Sequence, residues 1–155
     1  SGHAGHCARA RKARGADHVI LYRETDFLRA VRELTGGRGV PVVFDGIGKA
    51  TWEASLDCLA PRGMMVSFGN ASGKVPPVEL GALTSRGSLY LTRPTLMTYT
   101  ADSAEMRASA QTLFAHVLAG TLRISINQHF ALSEAAEAHR ALEARATTGS
   151  TILLP

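Results

Sequence analysis

Two short turns that contain glycine follow apolar segments of this sequence, and their residues are the best placed to do chemistry. The first turn, Asp45–Gly48 (DGIG), follows the apolar run Val42–Phe44. The second, Phe68–Asn70 (FGN), follows Met64–Val66 about one helix later. This order is typical of a β-α-β unit, which binds ligands at the carboxyl ends of its strands, where glycine lets a flat ring or a phosphate approach the backbone. The pattern indicates nucleotide binding, although no glycine-rich phosphate fingerprint precedes it.

Two interpretations of Asp45 stay open. An acidic residue at a strand end can bind a ribose hydroxyl, but in the dinucleotide fold that acid follows the second strand, roughly 20 residues after the glycine fingerprint. Asp45 can instead hold its own turn through backbone hydrogen bonds. In the same way, Gly46 and Gly48 can serve the turn alone, whereas Gly69 and Asn70 stand before further small residues that suit a ligand.

The rest of the sequence does not indicate catalysis by a metal ion, a general base or an activated serine. None of the six histidines pairs with another His, Cys or carboxylate at a recognised ligand spacing. No serine stands in a nucleophile elbow. We therefore predict neither a catalytic residue nor a metal site. Tyr22, Arg23 and Arg145 lie near the ends of predicted elements, where they could bind phosphates; the alternative is ordinary surface.

The composition is that of one globular domain and argues against two classes of partner. The 155 residues are 45% hydrophobic and 19% charged, and the net charge of +4 comes from 14 Arg and 3 Lys against 13 acids. Without a basic run interleaved with aromatic residues, the sequence does not predict nucleic-acid binding. No apolar stretch approaches the roughly 20 residues needed to cross a membrane. The two distant cysteines, Cys7 and Cys58, suit a reducing cytoplasm.

Hydrophobic periodicity predicts strands that alternate with helices, and therefore an α/β fold with a parallel sheet. The predicted helices are His6–Arg14, Phe27–Leu34 after an Asp26 cap, a helix capped by Thr51, a short turn at Val78–Leu83, Asp102–Gly120 and Ser133–Arg145. The predicted strands are Asp17–Tyr22, Val40–Phe44, Gly63–Phe68, Ser88–Thr92, Leu122–Ile126 and Ser150–Leu154. Because Val40–Phe44 is apolar almost without interruption, we expect it to be covered on both faces.

Several segments, in their order, resemble the NADPH-dependent quinone oxidoreductases, the zinc-free, ζ-crystallin-like branch of the medium-chain dehydrogenase/reductases. They are Tyr22–Glu24, Leu34–Gly37, Val43–Gly48, Ser55–Leu59, Met65–Gly73, Gly87–Pro94 and Ala146–Ser150. The resemblance runs from about Cys7 to Pro155, and SFGNASG and RPTL are its most specific segments. It implies a partial Rossmann-type, doubly wound parallel sheet without its first strands and glycine loop, together with C-terminal elements of a GroES-like catalytic domain.

The same resemblance implies NADPH as the cofactor and hydride transfer from NADPH to a quinone or enone. It places Tyr22 beside the ribose 2′-phosphate, Ile47 and Gly48 beside the adenine, Phe68, Gly69, Asn70 and Ala71 beside the nicotinamide half, Pro94, Thr95, Leu96 and Met97 beside the carboxamide, and Arg145 near the pyrophosphate. The lysine that the family uses for the 2′-phosphate would fall near Cys7, where the sequence has none.

By this resemblance, residues 7–125 form a partial NAD(P)-binding domain, and residues 126–155 form a segment that packs on a GroES-like domain ahead of residue 1. We therefore expect the 155 residues alone to be inactive. The strand at Ser88–Thr92 would lie at a sheet edge where two subunits pair, which predicts a homodimer. The alternative function is a non-catalytic association module built on that edge. An open edge of Val40–Phe44 could pair directly with Val19–Tyr22.

Overall fold

The computed structural model of the chain describes residues 16–22, 24–144 and 146–155. The chain divides into two compact units, the first ending at Asp102 and the second beginning at Ser103. The predicted domain boundary near residue 125 stays a prediction. The helix predicted over His6–Arg14 lies outside the described residues.

The first unit alternates helices and strands along the chain. Its elements are α1 (Phe27–Leu34), β1 (Val40–Asp45), α2 (Trp52–Asp57), β2 (Leu59–Ser67), α3 (Leu80–Ser85), β3 (Tyr90–Thr92) and α4 (Leu96–Tyr99). The sequence does not predict α4, because a single turn of four residues is too short to show a helical period.

β1, β2 and β3 form one sheet in that order, and both neighbouring pairs are parallel. In the register of the sheet, Phe44 lies opposite Val66, and Met65 lies opposite Leu91. Because the strands run in the same direction, the turns that follow them all leave the same edge of the sheet. The prediction of an α/β fold with a parallel sheet is confirmed.

The core of the first unit joins α2 to the sheet. Its buried members are Trp52, Leu56, Leu59, Met65 and Leu89, each no more than 7% exposed. Trp52 and Leu56 are one helical turn apart and therefore lie on the same face of α2. This packing holds α2 against the sheet, so that its first turn lies close to the end of β1.

α1 is held at both ends and attached to the junction between α2 and β2. The Asp26 carboxylate caps its start by accepting the N–H of Arg29 at 3.1 Å. Gly36 and Gly37, with φ of 59° and 80°, follow its end. The Arg32 guanidinium donates to the carbonyl of Asp57 and, at 3.5 Å, to that of Leu59.

The strand predicted over Asp17–Tyr22 is wrong. These residues form no strand, and among the described residues β1 pairs with β2 alone. The expected pairing of Val19–Tyr22 with Val40–Phe44 is therefore also wrong. The physical reason is that an extended segment becomes a strand only when a neighbour receives its backbone hydrogen bonds. Apolar composition alone does not supply that neighbour.

The expectation that β1 is covered on both faces is also wrong. Val43 packs against the core, and Asp45 is 4% exposed. Val42 and Phe44, on the opposite face, are 41% and 71% exposed. Among the described residues, this second face is only partly covered at Val42 and mostly open at Phe44.

The second unit contains one long helix and one pair of strands. Its elements are α5 (Ser103–Leu118), β4 (Ile126–Ala131), a 3₁₀ turn (Leu132–Glu134), α6 (Ala135–Glu143) and β5 (Ser150–Leu154). β4 and β5 are parallel, with Phe130 opposite Leu153. The strand predicted over Leu122–Ile126 is misplaced, because the hydrogen-bonded pairing with β5 begins only at Ile126. Across the described residues, no helix is both long and apolar enough to span a membrane.

Candidate functional site

Asp45, the last residue of β1, organises the turn that follows it. Its Oδ1 accepts the backbone N–H groups of Ile47 and Gly48 at 2.7 and 2.9 Å. Its Oδ2 accepts the hydroxyl groups of Thr51 and Ser55 at 2.7 and 2.8 Å. Four donors thus surround a carboxylate that is almost fully buried. These contacts support the interpretation in which Asp45 holds its own turn.

Two opposing effects set the pKa of Asp45. Burial by itself would raise the pKa, because the carboxylate loses its hydration. The hydrogen bonds from Gly48, Thr51, Ser55 and Ile47 outweigh burial and bring the pKa below its usual value. The turn is therefore built around a carboxylate that is negatively charged at neutral pH and stabilised by neutral donors.

Thr51 and Ser55 act differently from what the sequence predicts. Thr51 is the N-cap residue of α2, as predicted, but its side chain makes no capping hydrogen bond. Its hydroxyl bonds to Asp45 instead, as does that of Ser55, for which the sequence alone predicts no role. The spacing could have predicted this contact, since Thr51 and Ser55 are one helical turn apart and follow an acidic residue at the end of a strand.

The turn after β2 lies along the turn after β1, and both are longer than their sequence motifs: in the structure the first turn covers residues 46–50 and the second turn residues 68–73. Backbone hydrogen bonds join them: Phe68 N–H to the Asp45 carbonyl at 2.9 Å, Ala71 to Gly46 at 3.3 Å, Ser72 to Ile47 at 2.8 Å, and Lys49 to Gly73 at 3.2 Å. The Ser72 hydroxyl donates to the Ile47 carbonyl at 2.8 Å and accepts the Ala50 N–H at 2.9 Å. The two turns form a single hydrogen-bonded body at the carboxyl edge of the sheet.

Gly48 and Gly69 stand where the two turns touch. Gly48 has a φ of +88°, in the left-handed region, and a Cβ there would lie 2.7 Å from the carbonyl oxygen of Gly73. A Cβ on Gly69 would overlap the carbonyl oxygen of Gly46. Only glycine therefore fits both positions without moving the neighbouring backbone.

Arg93, just after β3, reaches back to the second turn. Its Nη1 donates to Ser67 Oγ at 3.0 Å and to the Gly69 carbonyl oxygen at 3.4 Å. The Asn70 amide is assigned the orientation that satisfies both of its ends. Its oxygen then accepts from Arg93 Nη2 at 3.2 Å, and its nitrogen donates to the Gly69 carbonyl at 2.9 Å. Arg93 belongs to the RPTL segment, but the sequence alone predicts no role for it.

The segment after Arg93 presents apolar side chains to open space. Thr95 caps α4, since its Oγ1 accepts the N–H of Thr98 at 3.4 Å. Leu96 and Met97 are 75% and 79% exposed. Two large apolar side chains are thus available on a short, capped helix that follows the sheet edge.

A cavity of about 380 Å³ opens beside Asn70 and Arg93. It is lined by Trp52, Ser67, Asn70, Lys74, Val75, Pro76, Val78, Leu91 and Arg93. The wall is mostly apolar, with two cationic side chains, an amide and a hydroxyl. That combination and size lie at the lower end of the range for small-molecule sites.

The structure brings most of the predicted site residues into one neighbourhood. Ile47 and Gly48 lie in the first turn and Phe68–Ala71 in the second, and Arg93 links the second turn to Pro94–Met97. Tyr22 lies ahead of α1 on the segment that joins no strand, and Arg145 lies outside the described residues. The assignment of these residues to a cofactor stays a prediction.

Metal-binding chemistry finds no support in the described residues. Within 16–22, 24–144 and 146–155, no three His, Cys, Asp or Glu side chains are grouped closely enough to hold a metal ion. Cys58, buried in the first unit, is a free thiol, and burial raises its pKa.

Known proteins are similar in sequence to this chain over nearly its whole length. A family model described as "Zinc-binding dehydrogenase" matches residues 14–153. The chain is 55% identical over 148 residues to a quinone oxidoreductase of Pseudomonas aeruginosa, covering 96% of this chain and 46% of that protein. It is 47% identical over 142 residues to a 2-haloacrylate reductase of a Burkholderia species, covering 91% of this chain and 43% of that protein. The chain thus spans less than half the length of these two relatives.

A solved structure shares the fold. The chain is similar to Escherichia coli quinone oxidoreductase complexed with NADPH, with a TM-score of 0.90 and 46% identity, over 99% of this chain and 48% of that chain. The resemblance to quinone oxidoreductases that the sequence motifs predict is thereby confirmed.

Proposed function

Because the chain belongs to the zinc-binding dehydrogenase family, we propose that it is the cofactor-binding part of an NADPH-dependent quinone oxidoreductase. The observation that carries this proposal is the joined pair of turns at the carboxyl ends of β1 and β2. In open parallel sheets, ligands bind at that edge. A structural relative with the same fold was solved in complex with NADPH, which identifies the nucleotide that this edge is expected to receive.

We assign the binding residues by segment. When bound, NADPH supplies the hydride, and the residues of this chain bind and orient the cofactor. Tyr22 is assigned to the ribose 2′-phosphate, Ile47 and Gly48 to the adenine, Phe68, Gly69, Asn70 and Ala71 to the nicotinamide half, Pro94, Thr95, Leu96 and Met97 to the carboxamide, and Arg145 to the pyrophosphate. The exposed side chains of Phe68, Leu96 and Met97 support this assignment, since they offer apolar surface to a planar ring.

The proposed substrate is a small conjugated acceptor, either a quinone or an enone. The names of two relatives support this class: a quinone and a 2-haloacrylate both contain a carbon–carbon double bond conjugated to a carbonyl group. The sequence motifs resemble the zinc-free branch of the medium-chain dehydrogenase/reductases. We propose that the enzyme is zinc-independent and works in the cytoplasm, where the free thiol of Cys58 would stay reduced.

We further propose that the 155 residues alone do not turn over quinone. Relatives that match the chain are about twice as long. The resemblance assigns half of the phosphate contacts to a glycine loop that these residues lack. Losing several charge-assisted hydrogen bonds, each worth roughly 1.5–3 kcal/mol, moves a micromolar site into the millimolar range.

Cofactor titration and turnover test the proposed function. The protein that carries these residues is titrated with NADPH, and binding is followed by the change in cofactor fluorescence. 1,4-Benzoquinone is then added, and the loss of NADPH absorbance is recorded. Saturable binding and quinone-dependent oxidation are expected. A protein that binds no NADPH would overturn the proposal. The 155 residues alone, run in parallel, should bind weakly and show no oxidation.

A second candidate function, subunit association, is favoured by the open edge of β3. Within the described residues β3 pairs with β2 alone, and Tyr90 and Leu91 are 60% and 37% exposed. An unpaired strand edge can bind the same edge of a second copy. We propose a homodimer through Ser88–Thr92.

A substitution that places a charge on the edge of β3 tests whether the homodimer forms through this strand. Leu91→Lys should shift the sedimentation of the protein from dimer to monomer, whereas Leu80→Lys, at a residue 78% exposed on α3, should not. A wild-type monomer would contradict the dimer. A dimer that binds no NADPH would favour the association module over the reductase.

A further inference from the structure

We propose that Arg93 is a positioning residue that holds the second turn in place against the segment that begins at Pro94. The inference rests on the proposed function, since both of these segments are assigned to the nicotinamide half of NADPH. Arg93 itself is not assigned to the cofactor. Its role would be to set the distance between the second turn and the segment that begins at Pro94, both of which are assigned to the cofactor.

The geometry of the guanidinium carries the proposal. Nη1 bonds to Ser67 Oγ at 3.0 Å and to the Gly69 carbonyl at 3.4 Å, and Nη2 bonds to the Asn70 side-chain oxygen at 3.2 Å. The N–H groups of Arg lie in one plane and in fixed directions, so one side chain fixes three acceptors relative to each other. These acceptors cover the end of β2 and the first half of the second turn.

The chemistry of the partners indicates positioning rather than charge neutralisation. Within the described residues, Arg93 has a hydroxyl, a backbone carbonyl and an amide as its partners, and no carboxylate pairs with it. Ser67 is 3% exposed, so one of these acceptors is anchored in the interior of the first unit. The Asn70 side-chain nitrogen in turn donates to the Gly69 carbonyl, so the remaining hydrogen bond of this network stays within the second turn.

Because Arg93 directly precedes Pro94, holding Arg93 in place also restrains the segment that leads to α4. Pro94 follows directly, and its ring fixes φ, so the backbone has little freedom to turn at that point. Anchoring Arg93 therefore also anchors the approach to α4, which carries Leu96 and Met97. Since a bound ring must fit both segments at once, a shift of one relative to the other should weaken binding.

The test is Arg93→Gln in the protein that carries these residues, with Arg62→Gln as the matched control. Arg62 is an exposed arginine of the same unit whose side chain forms no hydrogen bond within the described residues. We expect Arg93→Gln to raise the Kd for NADPH by about tenfold, with kcat at saturating NADPH and the KM for quinone changed much less. Arg62→Gln should leave all three unchanged. Arg93→Lys keeps the charge but not the planar fork, so it should not restore binding.

A double-mutant cycle separates positioning from a general loss of stability. Ser67→Ala removes one acceptor, and we expect Arg93→Gln to have a smaller additional effect on NADPH affinity in that background than in wild type. Hydrogen exchange without cofactor gives an independent readout. The amides of Ala71, Ser72 and Gly73 should exchange faster in Arg93→Gln than in wild type, while those of the α2 core should not.

The outcomes distinguish the two proposals. A wild-type protein that binds no NADPH would overturn the proposed function and this inference with it. Wild-type binding together with an unchanged Kd in Arg93→Gln would overturn the role of Arg93 alone. Restoration of affinity by Arg93→Lys would show that the charge matters rather than the fork, and would likewise overturn positioning.

Discussion

Gly69 packs directly on the backbone of Gly46, so closely that a β-carbon on Gly69 would lie 2.7 Å from the Gly46 α-carbon. This contact joins the turns after two neighbouring parallel strands. It explains why the second turn needs glycine even before any ligand is considered. A side chain at this position must push the two turns apart.

Gly69→Ala should therefore weaken NADPH binding by more than tenfold, since the added methyl group displaces the first turn from the second. Gly81→Ala is the matched control. A β-carbon on Gly81 meets nothing within 4 Å, and alanine is the better helix former in α3. Fluorescence titration with NADPH measures both variants. Equal affinity of Gly69→Ala and Gly81→Ala would contradict the importance of this contact.

Asp45→Ala should lower the free energy of unfolding by about 3 kcal/mol, because it leaves two buried hydroxyl groups and two backbone N–H groups without their acceptor. Asp45→Asn should cost less, since its amide oxygen can still accept two of these bonds. Urea unfolding measures both, with the exposed Asp17→Ala as the control. A loss below about 0.5 kcal/mol in Asp45→Ala, as is usual for surface sites, would refute the structural role.

The stability of the protein should depend on the charge of Asp45 at acid pH. The folded state lowers the pKa of Asp45, so the carboxylate stabilises the fold above the ordinary carboxyl pKa of about 3.9. That contribution is lost as the pH falls below this value and through the folded pKa. Between pH 7 and acid pH, wild type should lose more stability than Asp45→Asn. Parallel unfolding curves for the two proteins across this range would argue against a lowered pKa.

Tyr22→Ala should separate the two nicotinamide cofactors. If Tyr22 contacts the ribose 2′-phosphate, its loss should weaken the binding of NADPH by about tenfold and the binding of NADH by much less. Tyr22 is 44% exposed and can meet a ligand from solvent. The same variant titrated with NADH serves as its own control. An equal loss for both cofactors would remove the phosphate role.

Much of the first unit could be predicted from the sequence because its signals are local. Asp26 before Phe27 predicts the start of α1, and Gly36 after Leu34 predicts its end; both depend on backbone chemistry within one turn of helix. The apolar run ending at Asp45 predicts β1 for the same reason. The family resemblance rests on such contiguous segments, and relatives that match almost the whole chain confirm it.

Other features could not be predicted, because they depend on which elements become neighbours. Asp17–Tyr22 has the composition of a strand, yet it pairs with no strand in the described residues and stays irregular. β4 begins later than its apolar residues suggest, because β5 sets the register. A backbone hydrogen bond between strands involves residues far apart in sequence, so local periodicity carries little information about it.

The sequence by itself determined the α/β class, the parallel order of strands and helices, and the two glycine turns at the strand ends. Only the tertiary structure decided which side chains from other elements hold these turns in place. It brings the hydroxyls of Thr51 and Ser55 onto Asp45, and it places Arg93 on the second turn. The physical reason is that a strand-end turn can be encoded by a few adjacent residues. A hydrogen bond between side chains of different elements exists only once a packed core has fixed the distance between them.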